Sequence, residues 1–336
     1  MSAKRDRLKA AIAGEIADRP PVALWRHFPV DDQTPPGLVD AVLAFQTEFD
    51  FDLVKVTGAS SYALRGWGVE DAWEGSTEGT RRYTKQPVTK PGDWGRLSVL
   101  EPSHGSLGDY LRALRLIVQA VGTHTPVLAT VFSPLAQAKN LAGEKILFEH
   151  IRHHPDAVLD GLDRITRTTS AYVQAVVETG VDGVFYAVQF AALPWFDRAG
   201  YERFGLPFDR AILERASGLW LNMLHLHGND VLFDVALELP GAVVNWHDQE
   251  TPPGLAEGKA RSGKAVCGGL SREAGLLLGT PDSILGEARR AFEATDGGAG
   301  LILGTGCVVP IHAPRGNLMA ARRAVDSLAA LRPSHP

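Results

Sequence analysis

The sequence has few cysteines, no long apolar run and no basic block. Its 336 residues include two cysteines, Cys267 and Cys307, too few for a disulfide framework. Both are expected to stay reduced in a cytoplasmic protein, where a thiol can act as ligand or nucleophile. No apolar stretch approaches the roughly 18–20 residues needed to cross a bilayer, so no membrane span is expected. Residues 1–10 are charged and lack the apolar core of a secretory signal. No cluster of Lys and Arg stands out and the formal net charge is −5, which argues against nucleic acid as a partner. No Gly-x-Gly-x-x-Gly turn follows the first apolar run, so no nucleotide cofactor is expected. With 45% hydrophobic and 22% charged residues, composition argues against disorder and points to a globular chain.

What the sequence does have is a rhythm. Short β-branched or aromatic runs fall at 22–27, 53–57, 127–132, 183–188, 222–227, 243–247, 265–268 and 301–304. Helical periodicity fills 36–48, 107–121, 155–179, 230–239, 281–294 and 317–331. Strand alternating with helix implies parallel pairing. Eight such units in a chain of this length predict an α/β fold, a (β/α)8 TIM barrel built as a single domain over 1–336. The polar, Trp- and Gly-rich segment 66–102 breaks the rhythm and reads as a hairpin or loop excursion after strand two, near the barrel mouth. Segment 190–207, with Trp195, Phe196, Tyr201 and Phe204, reads as an aromatic loop with a short helix. The tail 333–336 is expected to fray.

In this fold the chemistry sits at the C-terminal ends of the strands. His225 and His227 are two apart on one strand and so share a face. Two imidazoles there can chelate one metal ion, or simply hydrogen-bond a substrate. Cys307, after the Gly304-Thr305-Gly306 turn, can complete a three-ligand site with an open fourth position, or be a small buried residue. His247 and Asp248 are candidates for general acid–base work, for support of the ligands, or for a substituted ligand. His27 joins them as a polar group at the end of strand one. Arg26, beside Trp25, suits bidentate capture of an anion. Tyr186, Gln189 and Asn245 complete the expected substrate-binding set. Cys267 reads as core.

Three stretches carry a family resemblance: Arg19-Pro20-Pro21-Val22-Ala23-Leu24-Trp25-Arg26; His225-Leu226-His227-Gly228-Asn229; and Gly268-Gly269-Leu270 through Leu278-Gly279-Thr280-Pro281 to Gly304-Thr305-Gly306-Cys307-Val308-Val309-Pro310 and Asn317. Their order and spacing resemble the uroporphyrinogen decarboxylase superfamily, and the resemblance implies the same barrel. One branch decarboxylates uroporphyrinogen without metal. Against its pattern this sequence lacks a second Arg in His27-Phe28-Pro29-Val30-Asp31-Asp32, and has no acid in Lys55-Val56-Thr57-Gly58-Ala59-Ser60. That branch's tyrosine is not recognisable in 133–139, and its late Gly-His-Gly is replaced by Gly306-Cys307. The other branch is the zinc-dependent methyltransferases that move methyl groups between corrinoid proteins and thiols, with His-x-Cys on strand five and a later Gly-Cys. His225 and Cys307 match them; His227 stands where the middle Cys would be. Two imidazoles and a thiolate still suit Zn2+.

The resemblance therefore implies a zinc-dependent methyl or alkyl transferase, or a lyase, with His225, His227 and Cys307 as metal ligands. A small-molecule substrate, a corrinoid protein or a thiol is the implied partner, and a homodimer is a common state for such enzymes. Two alternatives stay open. One is a metal-free decarboxylase of uroporphyrinogen or another carboxylate, with Arg26 on the carboxylate and Asp31 or Asp32 as the acid. The other is a non-catalytic barrel that binds a corrinoid or tetrapyrrole.

Overall fold

Strand side chains alternate between two faces, and here each face meets a different partner. The computed structural model describes residues 3–329. The end of the predicted helix 317–331 and the tail 333–336 lie outside the described residues. In chain order the elements are α1 (Ala3–Ile12), α2 (Pro35–Phe49), β1 (Val54–Val56), β2 (Glu70–Ala72), β3 (Arg82–Lys85), α3 (Gly105–Val121), β4 (Val127–Phe132) and α4 (Pro134–Ala142). They continue with α5 (Glu144–His153), α6 (Pro155–Val177), β5 (Gly183–Val188), α7 (Arg198–Phe204), α8 (Leu206–Arg215), β6 (Met223–Leu226), α9 (Val235–Glu238) and β7 (Val243–Trp246). The last are α10 (Leu255–Ser262), β8 (Ala265–Leu270), α11 (Pro281–Ala294), β9 (Leu301–Thr305) and α12 (Arg315–Ala329).

Seven strands form one parallel sheet in the order β1-β4-β5-β6-β7-β8-β9. One face packs on the helices: Val184, Tyr186 and Val188 of β5 join helical residues such as Leu162, Ile165 and Val176 of α6. The other face forms an inner cluster of Leu53, Leu128, Phe185, Ala187, Met223, Cys267 and Ile302, with Leu8 and Ala11 of α1 against it. The sheet curls, because both of its edges reach one segment. Val22 pairs in parallel with Leu303 of β9, and Leu303 N–H donates to Pro21 O (2.8 Å). On the other side Asp52 N–H donates to Val22 O (2.8 Å), and the buried Asp52 carboxylate accepts from Val22 N–H (2.8 Å).

The predicted strand 22–27 is thus an isolated bridge at Val22, not a regular strand. Pro20 and Pro21 have no N–H to offer a ladder, and a carboxylate takes one of the backbone's places. The predicted helix 230–239 shortens to α9. Residues 230–232 instead pair with the preceding loop, Ala192 bridging Val231 and Leu193 N–H donating to Asp230 O (2.9 Å). Within 66–102, β2 and β3 make an antiparallel pair outside the main sheet. The turn between them reaches back to the strand ends. Thr77 O accepts from Ile311 N–H (2.8 Å), and a Cβ on Gly79 (φ +79°) would lie 2.5 Å from Cβ of His27.

Candidate metal centre

β6 and the residues after it place His225 and His227 on the inner face, two apart as the strand alternation requires. β7 runs beside β6 with His225 opposite Asn245, and the chain just past β7 brings in His247. Cys307 arrives from the turn after β9. Gly306 makes that approach possible, since a Cβ there would sit 2.5 Å from Trp246 O and 2.6 Å from Cα of His247. One ligand atom from each of His225, His227, His247 and Cys307 lies within 4.8 Å of the other three. His225 Nε2 is 3.3 Å from His227 Nδ1, and Cys307 Sγ is 3.7 Å from the same nitrogen.

The neighbours fix which nitrogens face inward. Asn245 Nδ2 donates to Cys267 O (2.8 Å) and Thr305 O (3.0 Å), so Oδ1 must be the end beside His225. That oxygen accepts from His225 Nδ1 at 2.7 Å, which leaves the lone pair of Nε2 toward the cluster. His247 Nδ1 lies 3.0 Å from Glu250 Oε2. Burial pushes the Glu250 carboxyl up, but His247 and Arg272 outweigh that and hold it below the usual range. An ionised Glu250 only accepts, so His247 carries its proton on Nδ1. His247 Nε2 is buried without a partner among the described residues, an orphan nitrogen at the cluster. Burial, then mutual repulsion, pushes His225 well below the ordinary histidine range, and burial pushes His227 down too. Neutral imidazoles are the form that binds metal. Two or three imidazoles and a thiol, with His225 and His247 each hydrogen-bonded through Nδ1 on the far side, fit zinc.

The other expected site residues divide by strand face. Trp25 and His27 lie on the inner wall; burial, then Lys55, pushes His27 down to about 3. Asp248 is anchored by Gly269 N–H on Oδ2 (2.9 Å), while Oδ1 has no partner among the described residues, and burial pushes the carboxyl up to about 6. Arg26 faces the helices: its guanidinium stacks over Phe28 and Phe45 and donates to Ile311 O (3.1 Å). Tyr186 also faces away from the cluster and donates to Asp209 of α8 (2.7 Å). Gln189 is half-buried just past β5.

Three participants escape the sequence reading. Arg272 pairs with Glu250 (3.1 Å) and with Glu78 of the β2–β3 turn (2.6 Å), so it links that turn to His247. Glu250 follows His247 by three residues, a spacing that a turn brings together. Lys55 is a lysine inside an apolar strand, a signal that composition alone passes over.

The family model described as Uroporphyrinogen decarboxylase (URO-D) matches residues 3–328. Methylcobamide:CoM methyltransferase MtbA of Methanosarcina mazei is 25% identical over 215 residues, 64% of this chain and 62% of that protein. The chain thus matches about three-fifths of that relative's length. Uroporphyrinogen decarboxylase of Streptomyces avermitilis is 25% identical over 241 residues, 69% of this chain and 65% of that protein. In fold, a solved methyltransferase from Methanosarcina mazei superposes with a TM-score of 0.85 at 21% identity, covering 97% of this chain and 99% of that one. No described helix is long and apolar enough to cross a membrane.

Proposed function

This chain belongs to the uroporphyrinogen decarboxylase family, and within it we propose a zinc-dependent transferase of methyl or other alkyl groups. The observation that carries this is the set of four donor atoms within 4.8 Å of one another. His225, His227 and Cys307 are the ligands in this reading and His247 the fourth donor, the one that yields when a substrate needs the open position of a catalytic site. When bound, zinc supplies the charge that keeps a thiol as its nucleophilic thiolate. Asn245 and Glu250 hold His225 and His247 by Nδ1, so that Nε2 of each is the nitrogen left for the metal. Asp248 Oδ1, buried and without a partner, takes the proton that the thiol gives up. Trp25 and His27 lie on the substrate's side of the cluster in this reading.

The methyl donor in this reading is a corrinoid, free or on a protein, and the acceptor is a small thiol. The names of the methyltransferase relatives support it. So does the stretch 55–60, which has no acid where the decarboxylase pattern places one after strand two. We read 1–336 as one domain, with 22–27 as the remaining stave of a (β/α)8 barrel and 66–102 as an excursion beside its mouth. The bonds of Val22 to both sheet edges and of Glu78 to Arg272 support that arrangement. A cytoplasmic homodimer completes the reading.

Protein purified without chelator is expected to carry about one equivalent of zinc and to demethylate methylcobalamin when a thiol is added, followed by the corrinoid's visible spectrum. Full turnover with less than about a tenth of an equivalent of any transition metal, or conversion of uroporphyrinogen instead, contradicts the reading.

A further inference from the structure

The His/Cys cluster is covered by a piece of chain that does not belong to the main sheet. β2 and β3 pair only with each other, and the irregular turn 73–81 between them is seated on three strand ends. Beyond β9, Ile311 N–H donates to Thr77 O (2.8 Å). Just past β8, Arg272 pairs with Glu78 (2.6 Å). At the end of segment 22–27, Gly79 fits where a Cβ would lie 2.5 Å from Cβ of His27 and 2.9 Å from Cγ2 of Ile311. Burial pushes His227 down, and the Glu78 carboxylate is the next influence on it, in the opposite sense. The tip of the turn therefore stands close to the cluster itself.

Beneath this tip the donors are hard to reach. His225 is 2% exposed, His247 5% and Cys307 8%, and His227 alone of the four is half-buried. An opening of that kind passes a small molecule and stops a bulky, rigid one. The tip is also built to leave at little cost. The stem keeps its own pairs, Arg81 with Asp71 and Arg82 with Glu74. Arg272 is shared, because Glu250 holds it from the other side (3.1 Å). Release of Glu78 thus strands no unpaired cation, the outcome that makes breaking a buried pair costly. Glu78 is already 39% exposed and returns to water. Gly75 (φ +80°) and Gly79 (φ +79°) bracket the tip with backbone free to change its dihedrals.

We propose that the turn 73–81 is a lid over the His/Cys cluster, latched by Glu78 on Arg272, that admits small reagents when shut and bulky ones only when lifted. That the bulky visitor is a corrinoid methyl donor rests on the reading above; the gate does not. Lifting breaks the Glu78–Arg272 pair and the Thr77–Ile311 hydrogen bond and makes no covalent change.

Cys307 is the reporter, since it lies under the lid while Cys267, the chain's other cysteine, is 0% exposed in the core. The full chain, freed of any metal, is labelled with N-ethylmaleimide or with N-(1-pyrenyl)maleimide, the same reactive group on a small and on a bulky, rigid body. Labelling of Cys307 is read by peptide mass spectrometry, with each rate taken relative to that of free glutathione. In the wild type the pyrenyl reagent is expected to be at least about tenfold slower than the ethyl reagent. Glu78→Gln is expected to speed the pyrenyl reagent about fivefold and to leave the ethyl reagent within about twofold. In the protein as purified, the same substitution is expected to speed hydrogen exchange at the Ile311 amide. Gly79→Ala, whose Cβ has no room at His27, is the second variant and is expected to act in the same way. Equal relative rates in the wild type, or an unchanged pyrenyl rate in both variants with normal thermal transitions, overturns the proposal. So does a variant in which both reagents speed up alike, because that is general loosening and not a gate. The two readings fail separately. A chain that binds no zinc still shows the size difference, and loss of the gate leaves zinc content unchanged.

Discussion

Asn245 decides which nitrogen of His225 faces the cluster, because its amide is committed to two backbone carbonyls. Asn245→Leu removes the acceptor for Nδ1 and frees the ring to turn. Zinc affinity is expected to fall about 10–100-fold, measured by competition with a chromophoric chelator; unchanged affinity would show that the ring is held elsewhere. Lys55 gives a prediction of opposite sign, for stability. Burial pushes its amine from 10.5 down to about 7. The unfolded chain therefore binds more protons between about 7 and 10.5, and the folded wild type gains stability as pH rises through that window. Below about 7 the buried charge costs most. Lys55→Met is expected to be more stable than wild type by about 1–4 kcal/mol near pH 6, with the gap closing toward pH 10, in urea unfolding of the metal-free protein. A destabilised variant at pH 6 would mean that the Trp25 and Phe185 rings beside its Nζ need the cation. The pair His225 and His227 is legible in the sequence because alternation is local. Tyr186 shows the limit: it ends the same kind of strand but has the other parity, and its hydroxyl belongs to Asp209.

Elements deliver these residues to one place, and the turns after the strands matter more than the strands. The turn after β9 is tight: Thr305 Oγ1 donates to Cys307 O (2.6 Å), and Gly306 lies against the end of β7. Gly306→Ala removes no ligand, yet its Cβ would meet Trp246 O at 2.5 Å and Cα of His247 at 2.6 Å, so the turn must shift and carry Cys307 with it. The expected result is at least about tenfold weaker zinc binding in a folded protein; wild-type affinity would show that Cys307 is not a ligand. The Gly-rich turn and its Cys are readable from sequence, but the contact that makes glycine necessary is between β7 and β9 and is not. Arg272 is hidden for the same reason. Nothing in Leu270-Ser271-Arg272 announces that the turn after β8 folds it onto Glu250 and Glu78. The predicted strand at 22–27 fails in its regular form because prolines and Asp52 replace ladder bonds, although the segment keeps its position between the sheet edges.

At the scale of the molecule, one curled sheet separates two cores: a broad one against the helices and a smaller inner one that ends in the His/Cys cluster. Strand and helix counts make that architecture legible, since an inner and an outer face follow from alternation alone. What the inner face does depends on a few polar groups among many apolar ones, and their partners come from four different strand ends. The measurement that bears most directly on this account is anomalous X-ray diffraction at the zinc edge on protein never exposed to chelator. The account expects one peak at ordinary zinc–nitrogen and zinc–sulfur distances from His225 Nε2, His227 Nδ1 and Cys307 Sγ, about 2.0–2.3 Å. Well-ordered side chains at these positions with no peak between them would contradict it.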